Sequence, residues 1–141
     1  MSKQKIHLSI ISQEKILETV EVESITAPTT EGEITVLPGH IPLFSRLQPG
    51  LLRFLSDGKV ETFVVSAGFI EISSDSQATV IVDSVVAARE ISVQKAEAAI
   101  KAAHETMSRS TNQRELLMAE ASLKLALLEI KLAQKTKRAG Y

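Results

Sequence analysis

Cysteine and tryptophan are missing altogether from this chain of 141 residues, and it holds only one tyrosine and four phenylalanines. Without cysteine there is no disulfide, no zinc–thiolate site and no thiol nucleophile, which fits a reducing compartment. Five aromatic rings and a formal net charge of −1 leave little to stack on bases and no general attraction to a phosphate backbone, so nucleic acid is excluded as a partner. No apolar run approaches the roughly 18 residues that suggest a membrane span. The segment from Met1 to Lys5 leads directly into the alternating Ile6-His7-Leu8-Ser9-Ile10, without the apolar block of a secretion signal. A soluble chain is expected.

Catalytic signatures are equally scarce. There is no Gly-x-Ser-x-Gly elbow, no phosphate-cradling glycine loop and no dinucleotide fingerprint. The three histidines, His7, His40 and His104, never stand at metal-ligand spacing. His7 alternates along a strand, His104 falls on a helix, and His40 follows Pro38-Gly39 in a tight loop where its imidazole is expected to bond to backbone. Glu31 and Glu33 could suggest acid–base work, but in a glycine turn they project into solvent without the burial that tunes a carboxylate. The expectation is a protein without catalytic residues, metal or cofactor.

What the chain does have is an ordinary globular composition, 44% hydrophobic and 23% charged, distributed in two unlike halves. From Lys5 to Val82 the hydrophobic period is two, broken by turn signals, as in an all-β sandwich or barrel. Strands are expected near 5–12, 16–26, 33–37, 43–47, 51–56, 59–66, 69–73 and 77–82. Asp57-Gly58 between two apolar runs reads as a hairpin turn of the primed kind. Gly32, Pro38, Gly39 and Pro42 crowd the stretch from Glu31 to Leu43, where positive φ and fixed φ together hold loops in one shape.

Beyond Asp83 the composition turns to alanine, leucine, lysine and glutamate, with no glycine or proline before Gly140, and the period becomes helical. Two domains are therefore expected, 1–83 and 84–141. Ser92 is placed to cap a first helix with a narrow face of Val93, Ala96, Ile100, Ala103 and Met107. Ser108 to Asn112 reads as a polar loop, and a second helix runs from about Gln113 to Lys137. In it Leu116, Ala119, Leu123, Ala126, Ile130 and Ala133 form a coiled-coil stripe. Leu117, Leu125, Leu127, Leu128 and Leu132 widen that stripe beyond what one alanine-rich partner covers, so either the hairpin folds back on the sandwich or the excess surface serves a partner or a second conformation. Acids come early in this helix (Glu115, Glu120) and Lys131, Lys135, Lys137 and Arg138 late, an order that suits the macrodipole and also leaves a basic tip.

Several motifs together resemble one family. Glu31-Gly32-Glu33, then Val36-Leu37-Pro38-Gly39-His40-Ile41-Pro42-Leu43, Leu47-Gln48-Pro49-Gly50-Leu51-Leu52-Arg53, Ser66-Ala67-Gly68-Phe69-Ile70-Glu71-Ile72 and Ala78-Thr79-Val80-Ile81-Val82 are similar to the epsilon subunit of the F-type proton-translocating ATP synthase. The resemblance covers the whole chain. It implies an α+β chain, a β-sandwich of about ten strands followed by an antiparallel two-helix hairpin. It further implies a non-catalytic central-stalk role that couples c-ring rotation to the catalytic head, with the gamma subunit, the c-ring loops and the alpha and beta subunits as partners.

By the same resemblance Glu31, Gly32, Glu33 and His40 lie at one end of the sandwich, on the c-ring and gamma interface. Lys131, Lys135, Lys137 and Arg138 form the basic side of a helix that can leave the sandwich, enter the catalytic hexamer and block ATP hydrolysis. The expected location is the cytoplasmic face of a bacterial inner membrane, peripheral to it. A stand-alone sandwich adaptor with a partner-binding hairpin is the alternative.

One departure concerns nucleotide. Relatives that bind ATP carry Ile/Leu-Asp-x-x-Arg-Ala where this chain has Ile91, Ser92, Val93, Gln94, Lys95 and Ala96, and their second-helix arginines fall on Leu125 and Glu129. Lysine offers a point charge where arginine offers a planar, bidentate donor. Isothermal titration with MgATP is expected to show weak or no binding. A micromolar dissociation constant would overturn this.

Overall fold

The computed structural model describes residues 4–13 and 16–138, the side chains at 16–18 and 136–138 excepted. The chain divides into two compact units, Met1–Val85 and Val86–Tyr141. Ten strands and two helices are found among the described residues, so the expected α+β plan of sandwich and hairpin holds.

The first unit contains β1 (Ile6–Ile11), β2 (Ile16–Val22), β3 (Ser24–Thr29), β4 (Gly32–Val36), β5 (Leu43–Leu47), β6 (Gly50–Ser56), β7 (Lys59–Val65), β8 (Gly68–Ile72) and β9 (Gln77–Val82). The short β10 (Val85–Ala87) spans the division. The hydrogen-bonded order runs β7-β6-β3-β5-β8-β9-β1-β2, with β4 paired to β3. In that order each neighbouring pair among the described residues, and β3 with β4, is antiparallel, except β1 with β9, which is parallel.

Alternation explains the layers. Ile6, Leu8 and Ile10 of β1 are buried while His7 is exposed, and Ala78, Val80 and Val82 of β9 are buried while Gln77 and Ile81 are exposed. Ile25, Ala27, Val36, Leu52, Phe54, Val65, Ile70 and Ile72 are among the others in the core. Each valine, leucine, isoleucine or phenylalanine among them gains about 1.5–3 kcal/mol from leaving water.

The single long strand expected over 16–26 is two strands, β2 and β3, separated at Glu23. Asp57 and Gly58 both have positive φ, at 50° and 77°, and Ser56 pairs with Lys59 across them, the primed turn expected from the sequence.

Gly68 sits at a close approach of β8 to β9. A Cβ there would lie 2.1 Å from the Ile81 carbonyl oxygen and 2.8 Å from Val82 Cγ1, so no other residue fits without moving backbone.

In the second unit a 3-10 turn (Ala88–Glu90) precedes α1 (Val93–Arg109) and α2 (Gln113–Arg138). The Ser92 hydroxyl accepts from the Lys95 amide at 3.3 Å, the expected cap. The first helix runs two residues further than the polar composition suggested, through Ser108 and Arg109. Thr106 and Ser108 donate their hydroxyls back to the Ala102 and Glu105 carbonyls, so they sit on the helix instead of breaking it. Asn112 then caps α2, its Oδ1 accepting from the Arg114 and Glu115 amides at 2.9 and 3.2 Å.

Alanine makes the seam between the helices. Ala103 and Ala119 stand eight residues either side of Thr111, Ala96 and Ala126 fifteen, and all four are buried. Val93 and Met107, placed on the α1 face by periodicity, are instead exposed, because the seam is only as wide as its alanines.

Gly68→Ala is expected to destabilise the protein by about 3 kcal/mol, as overpacking against backbone does. Urea unfolding followed by circular dichroism measures it.

Candidate functional site: an apolar strip on the sandwich

Two loops flank β4. At its start Thr29 pairs with Gly32 across a two-residue turn formed by Thr30 and Glu31. The buried Thr29 hydroxyl donates to the Gly32 carbonyl and accepts from the Glu31 amide at 3.3 Å, while Gly32 takes φ 120°. Glu31 is exposed at the tip. Glu33 is not a free acid: Arg53 Nη2 of β6 reaches its Oε2 at 3.1 Å across the intervening β3. Both side chains are largely exposed, and such a pair contributes at most about 1 kcal/mol.

At the far end of β4, Pro38 and Gly39 form a turn in which His40 N donates to Leu37 O at 3.0 Å and Gly39 has φ 83°. That geometry is a type II turn, with proline and glycine in their favoured places. Gly39 N also donates to Ser76 Oγ at 3.2 Å, tying the loop to the β8–β9 connection. His40 Nδ1 donates to the Ile41 carbonyl at 2.7 Å, the backbone bond expected of it.

The expectation that His40 shares one end of the sandwich with Glu31, Gly32 and Glu33 therefore fails. The five residues of β4 lie between them, and at roughly 3.3 Å per residue the strand separates the two loops by about 17 Å. Sequence proximity suggested one cluster, but an extended strand carries its two ends apart.

Between those ends lies a feature that the sequence reading missed. Phe44, Phe69 and Ile81 share the outer face of β5, β8 and β9, since Phe44 pairs with Glu71, Arg46 with Phe69, and Phe69 with Ile81. The two rings stack at 5.5 Å between centroids, yet Phe44 remains 65% exposed and Ile81 52%. Arg46 and Glu71 alternate with the rings on the same face. A cleft of about 540 Å³ opens beside the strip, lined by Arg46, Gln48, Phe69, Ile81 and Asp83 among others. Leu37 and Ile41, in the proline loop, are exposed as well. The detectable signal was that Phe44 and Phe69 occupy the outward phase of strands whose inward phase is Leu43-x-x-x-Leu47 and Ile70-x-Ile72.

In the second unit, Lys131 and Lys135 are exposed on α2, and the side chains of Lys137 and Arg138 lie outside the described residues. Leu117, Met118 and Leu127 are exposed too. Ser92, Lys95 and Ala96 are gathered with Val86, Glu90 and Glu129 around a groove of about 230 Å³, in whose lining Ile91 takes no part. The Ser92 hydroxyl is committed to its cap, and burial raises the pKa of Glu129 above its ordinary value of 4.5. Among the described residues no cluster could hold a metal ion, and no helix is long and apolar enough to cross a membrane.

Residues 5–88 match the model of the β-sandwich domain of the ATP synthase delta/epsilon chain, which covers the whole of the sandwich described above. The chain belongs to the ATP synthase epsilon-chain family. It is 38% identical over 128 residues to the ATP synthase epsilon chain of Laribacter hongkongensis, covering 89% of this chain and 91% of that one. With the epsilon chain of Chromobacterium violaceum it shares 32% over 139 residues, 97% and 99% of the two chains.

Among solved structures, a chain of the Euglena gracilis mitochondrial ATP synthase (OSCP/F1/c-ring, rotational state 1) superposes with a TM-score of 0.72 at 28% identity, over 88% of this chain and 78% of that one. A chain of the Tetrahymena thermophila central stalk and c-ring shares the fold, with a TM-score of 0.64 at 16% identity. The ATP synthase epsilon chain is a non-catalytic subunit.

Proposed function

We propose that this epsilon-family chain is a central-stalk subunit that docks on the gamma subunit through the apolar strip of Phe44, Phe69 and Ile81. From there it couples c-ring rotation to the catalytic head. The observation that carries the reading is the exposure of two stacked rings on an outer sheet face. A lone monomer has no use for such a patch, whereas the buried centre of an interface is enriched in aromatic residues. Arg46 and Glu71, alternating with the rings, supply opposite charges that fix register more than affinity.

The Glu31–Gly32 turn is the c-ring contact in this reading, with Glu31 offering the charge. Glu33 is partly neutralised by Arg53, and His40 belongs to a separate contact at the other end of β4. The hairpin is the inhibitory element. Its exposed Leu117, Met118 and Leu127, with Lys131 and Lys135 further along α2, suit an apolar cleft with an acidic border between the alpha and beta subunits. The alanine seam buries little area per residue, which keeps the closed hairpin within a few kcal/mol of an open one. The complex so assembled is placed at the cytoplasmic face of a bacterial membrane.

Replacing Phe44 and Phe69 together by aspartate is expected to abolish co-purification with gamma while leaving the circular dichroism of the isolated chain unchanged. Retention of gamma by the double variant would remove the strip from the interface. Truncation from Asp83 onward, tested in the assembled complex, is expected to raise ATP hydrolysis. An unchanged rate would show that the helices are not inhibitory.

A further inference from the structure

The groove at the open end of the hairpin joins three segments of the second unit: the 3-10 turn, the start of α1 and the middle of α2. Glu129 enters it from α2 at a half-buried position, among neighbours one turn away that are apolar: Leu125, Ala126, Leu132 and Ala133. Ala126 and Leu132 are themselves buried. The charged groups facing Glu129 across the groove are Glu90 from the 3-10 turn and Lys95 from α1, both exposed, and Arg89 shares the turn with Glu90. A carboxylate in this place is held against the alanine seam, where Ala96 of α1 packs, with one like and one unlike charge on exposed neighbours.

We propose that this groove is a proton-sensitive latch, in which the charge on Glu129 weakens packing of α2 on α1 and its neutralisation tightens the hairpin.

The direction follows from burial. Desolvation raises the pKa of Glu129 above 4.5 in the closed hairpin. In an open hairpin the side chain is solvated and titrates at its ordinary value. Below that value the carboxyl is neutral in both states and closure carries no penalty. As pH rises toward and through the raised value, the closed state must bury a charge that the open state leaves in water, so closure weakens and stays weakened above it. Acid conditions hold the hairpin shut, and alkaline conditions loosen it.

For its physiological meaning the latch rests on the reading of the hairpin as a movable inhibitor, but its test does not. Amide hydrogen exchange of the isolated full chain, normalised to intrinsic rates at each pH, reads the opening of α2 directly. From about pH 4, below the ordinary value, to about pH 8, protection of the α2 amides near Glu129 is expected to fall in the native chain and to stay level in Glu129→Gln, with sandwich amides as the internal reference. Glu90→Gln is expected to retain the fall. A native profile without pH dependence, an equal fall in Glu129→Gln, or a level profile produced by Glu90→Gln alone would each overturn the latch. Such failures leave the hydrolysis result of the truncated complex untouched, and an ineffective truncation would leave the latch standing.

Discussion

The contact between β8 and β9 at Gly68 governs much of the sandwich. Backbone meets backbone there at a distance no side chain allows, and the pairing of Gly68 with Val82 sets Phe69 beside Ile81. On the other side Gly68 pairs with Leu47, and Leu47 with Thr29, so one row of residues ties β9, β8, β5 and β3 at the end where the Glu31 turn sits. A slip of one residue anywhere in that row would turn Phe44 and Phe69 inward and expose the core face. The exposed apolar strip is thus a consequence of register, and register depends on a glycine.

The helical unit is organised by a weaker constraint. Its seam of Ala96, Ala103, Ala119 and Ala126 lets two helices approach closely but removes little apolar surface from water. Apolar side chains that a wider interface would bury, such as Leu117 and Leu127, are left exposed. A half-buried carboxylate, Glu129, stands at the open end of the same seam. These features describe a hairpin held together by shape and short of hydrophobic depth, the condition under which one group's ionisation can matter.

Much of the plan was legible beforehand because it rests on local rules. Asp57-Gly58 demands positive φ, Ser92 caps a helix, and the period changes from two to about four residues after Asp83. Each is decided within a few residues. The break at Glu23 was only faintly legible: the inward phase shifts there from Val20 and Val22 to Ile25 and Ala27, but one misplaced residue is a weak signal, and the different partners of β2 and β3 are what separate the strands. Nor was the continuation of α1 through Ser108, since serine breaks or tolerates a helix according to where its hydroxyl finds an acceptor.

The site divides in the same way. Sequence alone determined the loop chemistry of Glu31–Gly32 and Pro38–Gly39–His40, including the backbone bond of His40, because φ preferences and short-range hydrogen bonds act between neighbours in the chain. Only the tertiary structure decided that these loops lie at opposite ends of β4, that Arg53 occupies Glu33, and that Phe44, Phe69 and Ile81 form one surface. Those relations are set by strand pairing between residues as far apart as Phe44 and Glu71 or Arg46 and Phe69, which depends on the register of the whole sheet and not on any one segment.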